Sequence, residues 1–230
     1  VTDVFYKGKL VDRNAPIRVK TCGRALKHTV HLDKVKAEQF VLPIGKKKTH
    51  VIGINPSQIT TEDLAVSLPP AANYVPTDGY SKVAAVERHH NTGKIGVAVA
   101  KGYGIRNGAV ASSVSHDSHN IIVIGDNDRD MALAVDEIIR TQGGYTVVEN
   151  GEVFETLPLP IMGLMSDAGF ESVNETLGRM IKKAHEMGVP ADIEPFITLS
   201  FLALPVIPTL RITPRGLCLL TAKGPEILQE

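Results

Sequence analysis

Apolar and polar positions come in short alternating bursts at the start of the chain and in longer apolar runs after about residue 82. VFYKGKLV, Val4 to Val11, alternates around Lys7-Gly8 and predicts a β-hairpin in which the glycine supplies a positive φ. HTVHL, QFVLPI and THVIGI predict further short strands, separated by charged residues, prolines and glycines. Residues 67–81, SLPPAANYVPTDGYS, contain three prolines and a glycine with no period, which predicts a linker.

Beyond it, KVAAVERHH and KIGVAVAKGYG predict two strands joined by a turn at HNTGK. NIIVIG, Asn120 to Gly125, is almost continuously apolar, as a strand covered on both faces would be. In DNDRDMALAVDEIIRTQGG, residues Met131, Ala134, Val135 and Ile138 recur at helical spacing, and Ile139 widens the stripe. Asp126 or Asn127 caps that helix, and Gly143-Gly144 ends it. Asn150-Gly151, between two apolar runs, is the strongest hairpin signal in the chain. A second helix is predicted from Phe170 to Met187, with Val173, Leu177, Met180, Ile181 and Ala184 on one face and Gly188 and Pro190 as its stop. FITLSFLALPVIPTLRIT is apolar throughout and predicts a buried segment, helix or strand. The fold class that follows is α+β: a short β-rich N-terminal piece (1–66), the linker (67–81), and a mixed β-sheet and hairpin domain with two main helices (82–230).

Composition narrows the functions. A chain of 230 residues with 43% apolar content buries a core of one or two domains. Lysine plus arginine and aspartate plus glutamate stand at 25 each, so no basic excess draws nucleic acid or an anionic membrane. The runs Lys46-Lys47-Lys48 and Lys182-Lys183 are too short to change that. Cys22 and Cys218 form no CxxC or zinc-ribbon pattern, which reads as a reduced, cytoplasmic protein. No apolar run approaches the roughly 18 residues of a membrane helix, and no secretory leader pattern opens the chain. The start at VTDVFYKGKLV, without methionine, predicts a piece of a longer polypeptide.

Candidate chemistry concentrates in GAVASSVSHDSHNIIVIG. His116, Asp117, His119 and Asn120 bring imidazole, carboxylate and amide groups together just before a strand, where rigid scaffolds present functional side chains. A carboxylate beside an imidazole orients it and favours its charged form. Small neighbours, Ala111, Ser112, Ser113 and Ser115, allow a ligand or another domain to approach the backbone. The plainer alternative is a polar turn that caps backbone groups. Glu87, Arg88, His89 and His90 form a second polar cluster, which meets the first if their strands pair and is otherwise a solvated strand end. His28 and His31, three apart in an extended segment, point to opposite faces and make a poor metal pair. A metal centre needs at least three protein ligands. HExxH, HxE with PCxxC, HxH, GxSxG and a GKS/T phosphate loop are all missing. The glycines of KGYGIRNGA do not join a strand to a helix as a dinucleotide site requires.

The segment KVAAVERHHNTGKIGVAVAKGYGIRNGAVASSVSHDSHNIIVIGDNDRDMALAV closely resembles the region after the catalytic barrel in bacterial and archaeal adenine deaminases. So do GGYTVVENGEVFETLPLPIMGLMSD and PFITLSFLALPVIPTLRIT, so that the likeness runs from about Lys82 to Thr213. VFYKGKLV is similar to the small β-structured region that accompanies the barrel of amidohydrolases. The resemblance implies a full enzyme of purine salvage that hydrolyses adenine to hypoxanthine and ammonia, cytoplasmic and homo-oligomeric. It also implies a divalent metal, manganese or iron, that lowers the pKa of a bound water for attack at C6 of the purine. The superfamily's HxH and later ligands have no counterpart here, so the metal ligands are expected in an N-terminal barrel, with none in this chain. The chain alone is expected to be inactive. His116, Asp117, His119, Asn120, Ser112 and Ser113 are then the candidates for completing the purine pocket, with Glu87, Arg88, His89 and His90 secondary. Two alternatives stand beside this: an autonomous metallohydrolase built on His116 and His119, and a non-enzymatic assembly module that buries segments such as Phe196 to Leu210 against a partner.

Overall fold

A computed structural model describes residues 1–12, 15, 22–45, 47–77 and 79–228. Lys46 of the lysine run and Asp78 of the predicted linker lie outside the described residues. The elements are β1 (Phe5–Tyr6), β2 (Lys9–Leu10), β3 (Thr49–Ile54), β4 (Thr61–Val66), β5 (Tyr80–Val86), β6 (Ile95–Lys101), β7 (Gly108–Ser112) and β8 (Ile121–Gly125). There follow α1 (Asp128–Thr141), β9 (Gly144–Glu149), β10 (Glu152–Pro158), α2 (Phe170–Glu186), α3 (Pro195–Leu202), β11 (Leu210–Thr213), β12 (Gly216–Thr221) and β13 (Gly224–Ile227). The class is α+β, as the sequence predicts.

One eight-stranded sheet, in the order β10-β9-β7-β8-β5-β6-β3-β4, organises the chain. Only β3 with β6 is parallel; the other neighbours are antiparallel. Because side chains alternate along a strand, its residues divide between two cores. Val83, Ala85, Ile122 and Ile124 face a core closed by α2, α3, β11 and β12, with Met180, Phe196, Leu199, Ile212 and Leu217. Ala84, Val86, Ile121 and Val123 face a second core closed by α1, with Met131, Val135 and Ile138. The strand IIVIG is thus apolar throughout because helices cover both of its faces. The strands β3 and β4, before residue 67, belong to the same sheet as the strands after residue 80.

Local chemistry explains the well-read elements. Asn127 caps α1 by accepting from the Asp130 amide at 2.9 Å. Asn150 and Gly151 both take positive φ, 52° and 81°, which turns β9 into β10. Lys7 and Gly8, at 51° and 73°, do the same for β1 and β2.

Two predicted strands do not form as such, and two further segments take elements that the pattern left open. HTVHL joins no ladder, and QFVLPI contributes one isolated bridge, Ile44 with Ala71. The reason is local: the Lys36 amide donates to Gln39 Oε1 at 2.8 Å at the start of a 3-10 turn, Ala37–Phe40, whose Phe40 plugs the α1 core, and Pro43 has no amide to offer a strand. GAVAS, to which the pattern assigns no element, is a strand, β7, and its residues are small because it lies in the sheet interior beneath α1. A Cβ at Gly108 would stand 2.0 Å from the Val148 carbonyl oxygen. The apolar segment after Pro195 divides into helix α3 and strand β11.

Candidate functional site

The pairing of β5 with β8 settles how the two polar clusters relate. Val86 stands opposite Ile121, so the chain leaving β5 and the chain entering β8 share one sheet end. The Arg88 amide donates to Asn120 Oδ1 at 3.2 Å, His89 Nε2 donates to the Ser118 carbonyl at 2.7 Å, and Arg88 Nε donates to the His119 carbonyl. Glu87–His90 and His116–Asn120 therefore form one patch.

Arg88 is fully buried beneath that patch. Its Nη1 donates to the Thr29 carbonyl at 2.9 Å and its Nη2 to the Met162 carbonyl at 3.1 Å. Gly163 makes room for it, since a Cβ there would come within 2.9 Å of the guanidinium. Burial strips the guanidinium of water and pulls its pKa down to about 10, against the opposing pull of the Glu87 charge. One cation thus ties together the segments at residues 29, 88, 119 and 162 through backbone carbonyls.

Glu87 caps the turn that follows. Its carboxylate accepts from the amides of His89 at 2.5 Å, His90 at 3.0 Å and Thr92 at 3.1 Å, and from the Thr92 hydroxyl at 3.0 Å. Burial works to raise its pKa, but the hydrogen bonds from Thr92, His89 and His90 outweigh it and hold the carboxyl below its usual range.

The loop itself is tightly wound. The His119 amide donates to the Ser115 carbonyl at 2.6 Å, with His119 in the left-handed region at φ 50°. The His116 amide donates to the Ser200 carbonyl at 3.0 Å, and the His116 ring lies on the Phe201 ring of α3 with centroids 5.0 Å apart. His119 meets His116 edge-on at 5.9 Å. The Asp117 side chain is 84% exposed, and its Oδ1 stands 3.8 Å from His116 Nδ1, beyond hydrogen-bond range. Burial first, then repulsion from the neighbouring His116, Arg88 and His89 side chains, lowers the His119 pKa, while Asp117 pulls the other way. His119 is therefore biased towards the neutral ring. Among the described residues, Ser115 Oγ and His119 Nδ1 near this loop and Ser200 Oγ on α3 are buried with no hydrogen-bond partner.

The structure divides the remaining candidates. Asn120 sits in the patch, its amide engaged with Arg88 and Ser118. Ser112 and Ser113 turn inward and are spent on the fold: Ser112 Oγ donates to the Val114 carbonyl at 3.1 Å, and Ser113 Oγ donates to Gly163 at 2.6 Å while accepting from the Gly144 amide at 2.8 Å. His90 is exposed at the edge. Sequence reasoning missed Ser200 and Phe201, the floor under His116. Their signal was the uninterrupted apolar character of PFITLSFL.

Beside the loop lies a cavity of about 240 Å³, with Asp117, Ser118 and Asn120 on one wall and Leu204, Val206 and Ile212 on another. Mostly apolar walls with a few polar groups at the rim suit a small, flat, weakly polar surface, from a ligand or from another domain. Metal binding is a different matter. Among the described residues no three His, Cys, Asp or Glu side chains converge on one point. His116 and His119 meet edge-on and Asp117 turns to solvent, so the autonomous metal centre finds no ligand set. His28 and His31 are both exposed. No helix among the described residues is long and apolar enough to cross a membrane.

The profile of the adenine deaminase C-terminal domain matches residues 58–223. An adenine deaminase of Desulfitobacterium hafniense is 50% identical over 215 residues, covering 93% of this chain and 38% of that protein. One from Nitratidesulfovibrio vulgaris is 46% identical over 94% of this chain and 39% of its own length. Adenine deaminase 2 of Carboxydothermus hydrogenoformans is 41% identical over 93% and 39% respectively. The chain thus spans about two fifths of the length of the curated relatives it matches.

Proposed function

The chain belongs to the adenine deaminase C-terminal domain family, and from that premise we propose that it is the carboxy-terminal part of an enzyme that hydrolyses adenine to hypoxanthine and ammonia. The observation that carries this reading is the match of nearly the whole chain to proteins named adenine deaminase. On this reading the enzyme works in purine salvage in the cytoplasm, as a homo-oligomer, and uses manganese or iron. The described residues do not fit that metal, because too few ligands converge, so its ligands belong to an amino-terminal barrel that this chain does not include. The 230 residues alone are then inactive.

The role left to this chain is to close the adenine pocket and hold its wall. The loop His116–Asn120 is suited to that. It is pinned to the chain leaving β5 by Arg88 and to α3 by the Ser200 carbonyl, and it presents Asp117 and half-exposed His116 outward. Neutral His119 offers hydrogen bonding without a charge to desolvate.

His116→Ala with Asp117→Ala in the complete enzyme tests this. Loss of adenine affinity by about tenfold, roughly 1.4 kcal/mol, is expected with the fold intact. Wild-type kcat and KM in that variant would make the loop a purely structural turn.

A further inference from the structure

Helix α3 has a composition at odds with its position. Its sequence PFITLSFL is apolar on every side, and such a helix is ordinarily buried all round. Here Phe196, Leu199 and Leu202 enter the core, but Ile197 is 56% exposed and Phe201 is only half-buried. The apolar character continues on either side, with Val206 62% and Ile59 48% exposed. Two cavities flank the helix, one of about 250 Å³ between it and the turn at 57–60, the other the 240 Å³ cavity beside the candidate loop. Ser200 Oγ on the helix, and Ser115 Oγ and His119 Nδ1 in the adjoining loop, are buried with no hydrogen-bond partner among the described residues.

We propose that this surface, made by the outer side of α3, the turn 57–60, the loop 203–206 and His116–Asn120, is where the rest of the adenine deaminase polypeptide packs. The inference rests on the reading of this chain as part of such an enzyme, and adds which face receives the remainder. Three observations select that occupant. About three fifths of each relative lies outside the matched region, so a large body of protein remains to be placed. The surface is continuous with the candidate pocket loop, so one docking event covers the apolar helix and delivers Asp117 and His116 to the boundary. The charge on the surface is also one-sided. The two cavities are lined by Asp117, Asp192 and Glu194 and by no lysine or arginine. A two-fold contact between copies sets the same patch against itself, and like charges brought together oppose association. A different face, with an apolar centre and a basic rim, complements it.

Carbene footprinting of the complete adenine deaminase tests the proposal, with labelling at each residue divided by that of the same protein in denaturant. Ile197, Phe201 and Val206 are expected to label at less than one tenth of the denatured level, unchanged on hundredfold dilution. Labelling above half the denatured level at Ile197 and Val206 overturns the proposal. Protection that is lost on dilution overturns it too, in favour of a second copy. Ammonia release from adenine by the same sample separates the two readings. Turnover with an open α3 sinks the docking surface alone, and a protected α3 without turnover sinks the activity alone.

Discussion

The guanidinium Nε of Arg88 donates to the backbone carbonyl of His119, 31 residues further along the chain. The contact makes a buried cation on one strand end the anchor of the loop before another. Removing it takes the guanidinium donor from the part-buried carbonyls of Thr29, His119 and Met162. Unmet buried acceptors cost about 1–3 kcal/mol each. Arg88→Met is therefore expected to destabilise the fold by about 3 kcal/mol, and Arg88→Lys by a comparable amount, because one ammonium cannot replace a planar fork. Urea unfolding of both variants checks this, and a lysine variant as stable as wild type would show that charge, not geometry, does the anchoring.

The buried pair Lys82 and Asp128 predicts an asymmetry. Lys82 Nζ donates to Asp128 Oδ1 and Asn73 Oδ1, both at 2.6 Å, and to the Phe40 carbonyl at 3.0 Å. The lysine side chain is 1% exposed and the aspartate 17%. Asp128→Asn leaves a fully buried ammonium without its counter-charge, whereas Lys82→Met leaves a carboxylate with some access to water and the Asn73 amide. The asparagine variant is expected to lose more stability, about 3–5 kcal/mol for a broken buried pair. Equal losses in the two would contradict the burial argument.

Two glycines separate steric need from mere presence. Gly108→Ala drives a methyl into the Val148 carbonyl and the Met187 side chain, so a loss of about 2–4 kcal/mol is expected. Gly178, inside α2, has open space around its missing Cβ. Gly178→Ala should instead stabilise by about 0.5–1 kcal/mol, since alanine is the better helix former. Thermal unfolding of the pair reads both signs.

Stability should fall on mild acidification through His119. Its folded pKa lies below the ordinary 6.5 because burial, and after it the neighbouring His116 and Arg88 side chains, disfavour the charged ring. The unfolded chain then binds the extra proton first, so the contribution is complete above pH 6.5 and is lost as pH falls from there towards the folded pKa. His119→Asn removes the titrating group, and denaturation midpoints between pH 7.5 and 5 should fall less steeply than in wild type. Unchanged pH dependence would place the sensitive group elsewhere.

What the sequence revealed follows from how local the signals were. Helix α1 and the Asn150-Gly151 turn were legible because cap, stripe and turn residues sit within a few positions of one another. Strand β7 was not, since GAVAS lacks alternation and is small only because helix α1 and strand β9 press on it from elsewhere in the chain. Helix α3 was ambiguous because a segment apolar on every side carries no period. The candidate loop was visible as a concentration of polar residues. Its anchor was not, because nothing in VERHH distinguishes a solvated arginine from one whose carbonyl partners lie at residues 29, 119 and 162.

The central claim is that these residues shape an adenine pocket whose metal and reacting groups lie elsewhere. The most direct test incubates the purified 230-residue chain with adenine and manganese, and measures bound metal and released ammonia. The account predicts no stoichiometric metal and no ammonia above the buffer blank. Tightly held metal together with turnover that His116→Ala abolishes would contradict it.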